Sequence, residues 1–185
     1  MRINDFFISG VLEFVPVRIE DERGHFSEIF RREVFSERIG PVDFVQENES
    51  LSVRQGTIRG IHFQTAPFAQ GKLVRCVAGA IFDVAVDLRI NSPTFGQHVC
   101  LELSSRSGNQ LWIPAGFGHA FCTLTPNSLV SYKVTERYSQ AHDAGVIWDD
   151  DDIAISWPSV ADPDTLSPKD RNQPRLSALD ERQLF

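Results

Sequence analysis

Between Lys72 and Leu88 the chain alternates in a way that suits a pair of two-faced extended strands. Phe82, Val84, Val86 and Leu88 would share one side of such a strand, and Asp83, Ala85 and Asp87 the other. Successive side chains of a strand point to opposite faces. The preceding run, Lys72-Leu73-Val74-Arg75-Cys76-Val77, reads as the partner of a hairpin turning at Ala78-Gly79. Further strands are predicted over Leu12–Val17, His25–Phe30, Phe44–Ser52, Thr57–Gln64, His98–Leu103, Gln110–Ile113, His119–Thr123 and Leu129–Thr135. Turns such as Asp21-Glu22-Arg23-Gly24, Gln55-Gly56 and Asn91-Ser92-Pro93 separate them. Turn signals about every 8–12 residues with little helix predict an all-β barrel or sandwich. Helical spacing is confined to Arg32–Ile39, stopped by Gly40-Pro41, and to short pieces near Pro168–Arg171 and Ala178–Gln183.

A chain of 185 residues holds one good core and is short for two, so residues 1–185 are expected to form a single unit. The acidic, Pro-rich segment from about 149 to 185 is expected to pack on the barrel. With 18 basic and 25 acidic residues the net charge is −7, which argues against a general nucleic-acid binder. A small anionic ligand needs only two or three local cations and stays open. No apolar run approaches the roughly 20 residues of a membrane span. The start of the chain lacks the apolar core of a signal peptide. Cys76, Cys100 and Cys122 are odd in number and widely spaced, as expected for reduced thiols of a cytoplasmic protein.

Two segments carry the chemistry. Arg59-Gly60-Ile61-His62-Phe63-Gln64 sets a guanidinium and an imidazole close together in a strand. Gly108, five further residues, then Pro114-Ala115-Gly116-Phe117-Gly118-His119 is similar to the second signature of the cupin barrels. The first cupin signature needs His-x-His followed by Glu, and Gln64 occupies the place of its second histidine. None of His25, His62, His98, His119 and His142 forms His-x-His, so no metal is expected. The resemblance implies a cupin, or double-stranded β-helix (jelly-roll) barrel, with a few short peripheral helices.

Eight ordered blocks narrow this further. They are Arg23-Gly24 before Phe26, Phe44 to Asn48, Arg59 to Gln64, Gln70 to Arg75, Asp83 to Arg89, Pro114 to His119, Tyr132-Lys133 and Ser167-Pro168-Lys169-Asp170. Together they resemble the dTDP-4-dehydrorhamnose 3,5-epimerase family over nearly the whole chain. The resemblance implies a cofactor-free isomerase of dTDP-L-rhamnose biosynthesis that inverts C3 and C5 of dTDP-4-dehydro-6-deoxy-glucose. It also implies a homodimer in which an N-terminal strand crosses to the partner.

Such a reaction removes a proton beside a ketone and returns one from the opposite face. It needs a base, an acid and a cation near the ketone oxygen. His62 suits the base, since imidazole titrates near working pH. By resemblance Asp170 pairs with its other ring nitrogen; Asp83, which alternation could also turn inward, is the alternative partner. The resemblance makes Tyr132 the proton donor and Lys72 the enolate-stabilising cation. It makes Arg23 and Arg59 the diphosphate ligands, and Glu28, Gln46 and Asn48 nucleoside and sugar contacts. His119, Asp143 and Lys169 are further ligand-binding positions. The chain departs from the family's usual pattern at Glu49, where a histidine is frequent, at Gln140, where proline is usual, and at Asp143, where a glutamate is. Related enzymes that epimerise only C3 or only C5 remain open, as does a non-catalytic cupin that binds a nucleotide sugar. A metal-dependent cupin would need three or four converging ligands.

Overall fold

Alternation along the strands sorts their side chains between the inside of a barrel and two covered outer faces. The computed structural model describes all residues, Met1–Phe185. In chain order the strands are β1 (Arg2–Asp5), β2 (Leu12–Val15), β3 (Ile19–Asp21), β4 (Gly24–Phe26), β5 (Gln46–Ser52), β6 (Ile58–Gln64), β7 (Lys72–Ala78), β8 (Ala80–Asp87), β9 (His98–Ser104), β10 (Gln110–Ile113), β11 (Phe117–Thr123), β12 (Ser128–Val134) and β13 (Asp143–Gly145). Two helices, α1 (Arg32–Ile39) and α2 (Pro168–Arg171), lie outside the sheets. One sheet has the order β1-β2-β10-β7-β12-β5 and the other β13-β6-β11-β8-β9, with β3-β4 as a separate hairpin. All these strand pairs are antiparallel.

The core between the sheets joins Val74 and Cys76 of β7, Leu111 and Ile113 of β10 and Val130 of β12 to Ile81 and Ala85 of β8 and to Phe117 and Phe121 of β11. The two rows of β8 divide between this core and the opposite face of the sheet. Its apolar row, Val84, Val86 and Leu88, faces outward and is buried with Ile61, Phe63 and Ala120 beneath Ile153 and Leu176 of the C-terminal segment. The row holding Asp83 and Ala85 faces the barrel interior, and Asp83 is fully buried. A strand covered on both faces need not be apolar on its barrel side if that side serves a site. On the opposite sheet, Phe14, Leu73 and Trp112 cover the outside together with Phe35 of α1. The Phe14 and Phe35 rings stack with centroids 4.0 Å apart.

Helices α1 and α2 occur where spacing predicts them. The expected helix over Ala178–Gln183 is instead two 3-10 turns, Leu176–Ala178 and Glu181–Gln183, because Asp180 caps the second one and so divides the run. The strand expected over His25–Phe30 ends at Phe26. Strands β1, β3 and β13 are additional, and each is short. Their pairing comes from a neighbour, β2, β4 or β6, rather than from an apolar pattern of their own.

Candidate active site

The interior rows of both sheets converge near one end of the barrel. His62 of β6 and His119 of β11 are direct cross-strand partners and therefore share a face. Their close approach depends on Gly60, which has φ +112°. A Cβ there would stand 2.5 Å from the His119 carbonyl oxygen. From the facing sheet come Lys72 of β7 and Tyr132 of β12, the latter opposite Val74 on one side and Asn48 of β5 on the other.

Two adjoining cavities, of about 190 and 290 Å³, have His62, Lys72, Tyr132 and Lys169 as common walls. Gln46, Asn48 and Asp143 line the first. Arg59, His119 and Asp170 line the second. Ten of the twelve expected site residues thus meet. Arg23 and Glu28 stand apart from both cavities in the single chain. Arg23 is on the exposed β3-β4 turn in a 2.5 Å ion pair with Asp21. Glu28 pairs with Arg31 at 2.7 Å, half-exposed.

The pairing of His62, open between two carboxylates in the sequence, goes to Asp170. His62 Nε2 lies 2.5 Å from Asp170 Oδ1. Ser167 caps α2 by accepting from the Asp170 N–H at 3.1 Å, which fixes the carboxylate on the first turn. Burial disfavours the charged form of Asp170, but the His62 hydrogen bond and charge and the Ser167 hydroxyl outweigh it and hold its pKa below the ordinary carboxylate value. Asp83 instead reaches His119, with Nε2 and Oδ1 2.8 Å apart.

Lys72 is buried, and its Nζ donates at 3.3 Å to the His62 carbonyl. Burial pushes its pKa down to about 8, opposed by the negative charges of Asp143 and Asp83. Burial raises the pKa of Tyr132, against the charge of Arg59. Asp143 accepts from Tyr138 Oη at 2.9 Å and from Lys169 Nζ at 2.5 Å. The Arg59 guanidinium donates to Ser52 Oγ and to the Leu51 carbonyl, both at 3.1 Å.

Gln64, read as a lost metal ligand, has a different task. Its amide donates to the carbonyls of Phe68 and Arg137 at 2.8 and 3.0 Å and accepts from Ser139 N–H at 2.6 Å. It therefore ties two loops at the cavity mouth. Sequence reasoning missed this, and missed Tyr138 and Gln70 as cavity-lining groups. The one available signal for Gln64 was its position two residues after His62, on the same strand face. No group of three or more His, Cys, Asp or Glu side chains is clustered so as to hold a metal ion.

An imidazole backed by a carboxylate, a half-buried phenol and a buried ammonium around one cleft can exchange a carbon-bound proton and hold an oxyanion. The family model described as dTDP-4-dehydrorhamnose 3,5-epimerase matches residues 5–178. The chain belongs to the dTDP-4-dehydrorhamnose 3,5-epimerase family. It is 54% identical over 97% of its length to the dTDP-4-dehydrorhamnose 3,5-epimerase of Sinorhizobium fredii, covering 91% of that protein. The dTDP-6-deoxy-D-glucose-3,5-epimerase of Legionella pneumophila, solved in complex with dTDP-4-keto-L-rhamnose, superimposes with a TM-score of 0.91 at 38% identity. That match covers 99% of this chain and 97% of the other. The dTDP-4-dehydrorhamnose 3-epimerase of Streptomyces niveus is 39% identical over 93% of this chain and 82% of its own. As a member of the epimerase family the chain is an isomerase acting on carbohydrate, and its two-sheet jelly roll is the cupin fold.

Proposed function

We propose that this epimerase inverts C3 and C5 of dTDP-4-dehydro-6-deoxy-glucose by two proton transfers at each carbon, without a cofactor. The C4 ketone acidifies the hydrogens on both neighbours. His62 takes the proton, and the C–H electron pair moves into an enolate whose oxygen Lys72 holds. Tyr132 then gives its proton to the same carbon from the opposite face, and the configuration is inverted. Solvent returns a proton to the phenolate and removes one from His62. Each group is suited to its step. Asp170 stabilises the imidazolium. The raised pKa of Tyr132 keeps its proton in place until the enolate forms. Lys72 is mostly an ammonium at neutral pH, and the burial that lowers its pKa makes it a more acidic N–H donor to the enolate oxygen than an exposed lysine is.

The observation that carries this reading is the convergence of His62, Lys72 and Tyr132 on one cleft in a chain of this family. Arg59, His119 and Lys169 supply donors for the diphosphate and sugar oxygens. Gln46, Asn48 and Asp143 face the nucleoside side. Arg23 and Glu28 are assigned to the partner's cleft, in a homodimer that exchanges its N-terminal strands. That arrangement is supported by Val17, Ile19 and Phe26, which are 61%, 64% and 69% exposed around the β3-β4 hairpin and call for a cover. No helix is long and apolar enough to cross a membrane. We place the enzyme in the cytoplasm, where its three free cysteines, with thiol pKa values pushed up to about 11 by burial, would stay reduced.

Incubation with dTDP-4-dehydro-6-deoxy-glucose in heavy water, read by NMR at both carbons, tests the proposal. Deuterium at C3 and C5 with inversion at each is expected. Incorporation at C3 alone would make the chain a mono-epimerase like the Streptomyces niveus relative. No incorporation at either carbon would overturn the enzymatic reading.

A further inference from the structure

We infer that Asp83 is a positioning residue of this site: it holds His119 by Nε2, so that Nδ1 of that ring meets a sugar oxygen beside His62. The inference rests on the functional reading above and deepens it.

Asp83 is fully buried and points into the barrel from β8, where its neighbours on the same face are the apolar Ile81 and Ala85. Its only side-chain contact of hydrogen-bond length is Oδ1 to His119 Nε2, at 2.8 Å. The other oxygen, Oδ2, has no hydrogen-bond partner in the protein. As a stability device this is a poor choice, since an apolar residue of similar volume would avoid desolvating a half-used carboxylate. Its use is the ring it holds. His119 is the cross-strand partner of His62 and lines the same cavity, so the row presents two imidazoles, each backed by its own carboxylate.

The two pairs differ in access, and that difference assigns their work. The His62 side chain is 33% exposed, so it can hand its proton to solvent after each turnover. The His119 side chain is 8% exposed and its carboxylate fully enclosed, so the ring is fixed rather than in exchange. With Nε2 committed to Asp83, only Nδ1 remains to face the sugar, as a donor once protonated. Burial raises the pKa of Asp83 against the charges of His119 and Lys72, and in its ionised form the carboxylate in turn helps keep the Lys72 ammonium charged. The other charged or titratable groups facing this space are His62, Arg59, Tyr132, Tyr138, Asp143, Lys169 and Asp170, and the thiols of Cys76 and Cys100 also feel the Asp83 charge.

The test compares the full chain with Asp83→Asn, His119→Gln and the double variant. For Asp83→Asn, kcat should fall about tenfold or more, equivalent to ~1.4 kcal/mol. Its affinity for dTDP, which lacks the sugar, should change less than about twofold. The basic limb of its kcat/KM profile should move to lower pH, because Lys72 loses a supporting charge. In the His119→Gln background the same substitution should add almost nothing to the loss in kcat, because it acts through that ring. Nitrogen-15 NMR of the wild-type ring should show Nε2 protonated, and this measurement stands even if a variant fails to fold. Wild-type kcat in Asp83→Asn, full additivity with His119→Gln, or a bare Nε2 would each overturn the inference. Failure of the wild-type enzyme to epimerise the substrate overturns the functional reading instead, while the ring spectrum still reports on the Asp83 contact.

Discussion

His62 Nε2 stands 2.5 Å from Asp170 Oδ1 although 108 residues separate the two in the chain. The ring comes from a central barrel strand and the carboxylate from a one-turn helix capped by Ser167. In His62→Ala, solvent exchange at C3 and C5 should fall by about 10²–10⁴-fold, the usual worth of a positioned base. Asp170→Asn should retain the ring and lose less, on the order of 10²-fold within that range. Deuterium incorporation measures both directly, and exchange at the wild-type rate in His62→Ala removes it as the base.

Tyr132→Phe separates the two halves of the reaction. The phenol is needed only to return the proton, so inversion should slow by at least about tenfold, while His62 still washes substrate hydrogen into solvent from the starting face. Exchange lost as completely as in the His62 variant would count against the donor role.

Lys72 sets the alkaline side of the pH profile. In the proposed reaction its charged form holds the enolate, and burial brings its pKa to about 8. The value of kcat/KM should therefore decline above about pH 8, approaching tenfold per pH unit. Stability runs the other way. Between about 8 and the ordinary lysine value of about 10.4 the unfolded chain binds more protons than the folded one, so the Lys72 contribution to stability rises with pH there. In Lys72→Met the alkaline decline should vanish together with most of the activity. A profile in that variant still falling near pH 8 would assign the limb to another group.

Asp143 joins Tyr138 and Lys169 in the cavity, whereas the His62 ring nitrogen is held by Asp170. Asp143→Ala should free both partners and raise KM about tenfold, with kcat within about a factor of two, as expected for uniform binding. A fall in kcat with KM unchanged would place this carboxylate in the chemistry instead.

Phe35 is the aromatic that α1 lays on the outside of the six-stranded sheet, stacked on Phe14 and 2% exposed. Phe35→Ala should cost about 3–5 kcal/mol of stability without altering pH dependence. Denaturant unfolding of the variant checks this, and a loss under about 1 kcal/mol would mean that the helix contributes little to holding the sheet.

The barrel was legible from alternation and turn spacing, with Gly71 and Gly79 bounding β7 and Asn127 opening β12. Which face of β8 looks inward was not. Alternation separates Val84 and Val86 from Asp83 without saying which row is inside, and the C-terminal cover, with Ile153 and Leu176, is what buries the apolar row on the outside. Short β1 and β13 carry no pattern of their own and exist through their neighbours. At the site, the residue types and the family blocks named His62, Lys72, Tyr132 and Asp170 together. They could not decide between Asp170 and Asp83, since both reach an imidazole and the choice depends on tertiary placement. The roles of Gln64 and Tyr138 lie in contacts to loops, which spacing does not encode.

Helix α2 begins only at Pro168, close before the closing turns, yet it delivers the carboxylate that pairs with His62. The His62 pair therefore depends on a tail segment that belongs to neither sheet. A copy clipped behind Ile153 could keep its strands and still be inert, so loss of turnover would reveal tail damage well before spectroscopy of the sheets did.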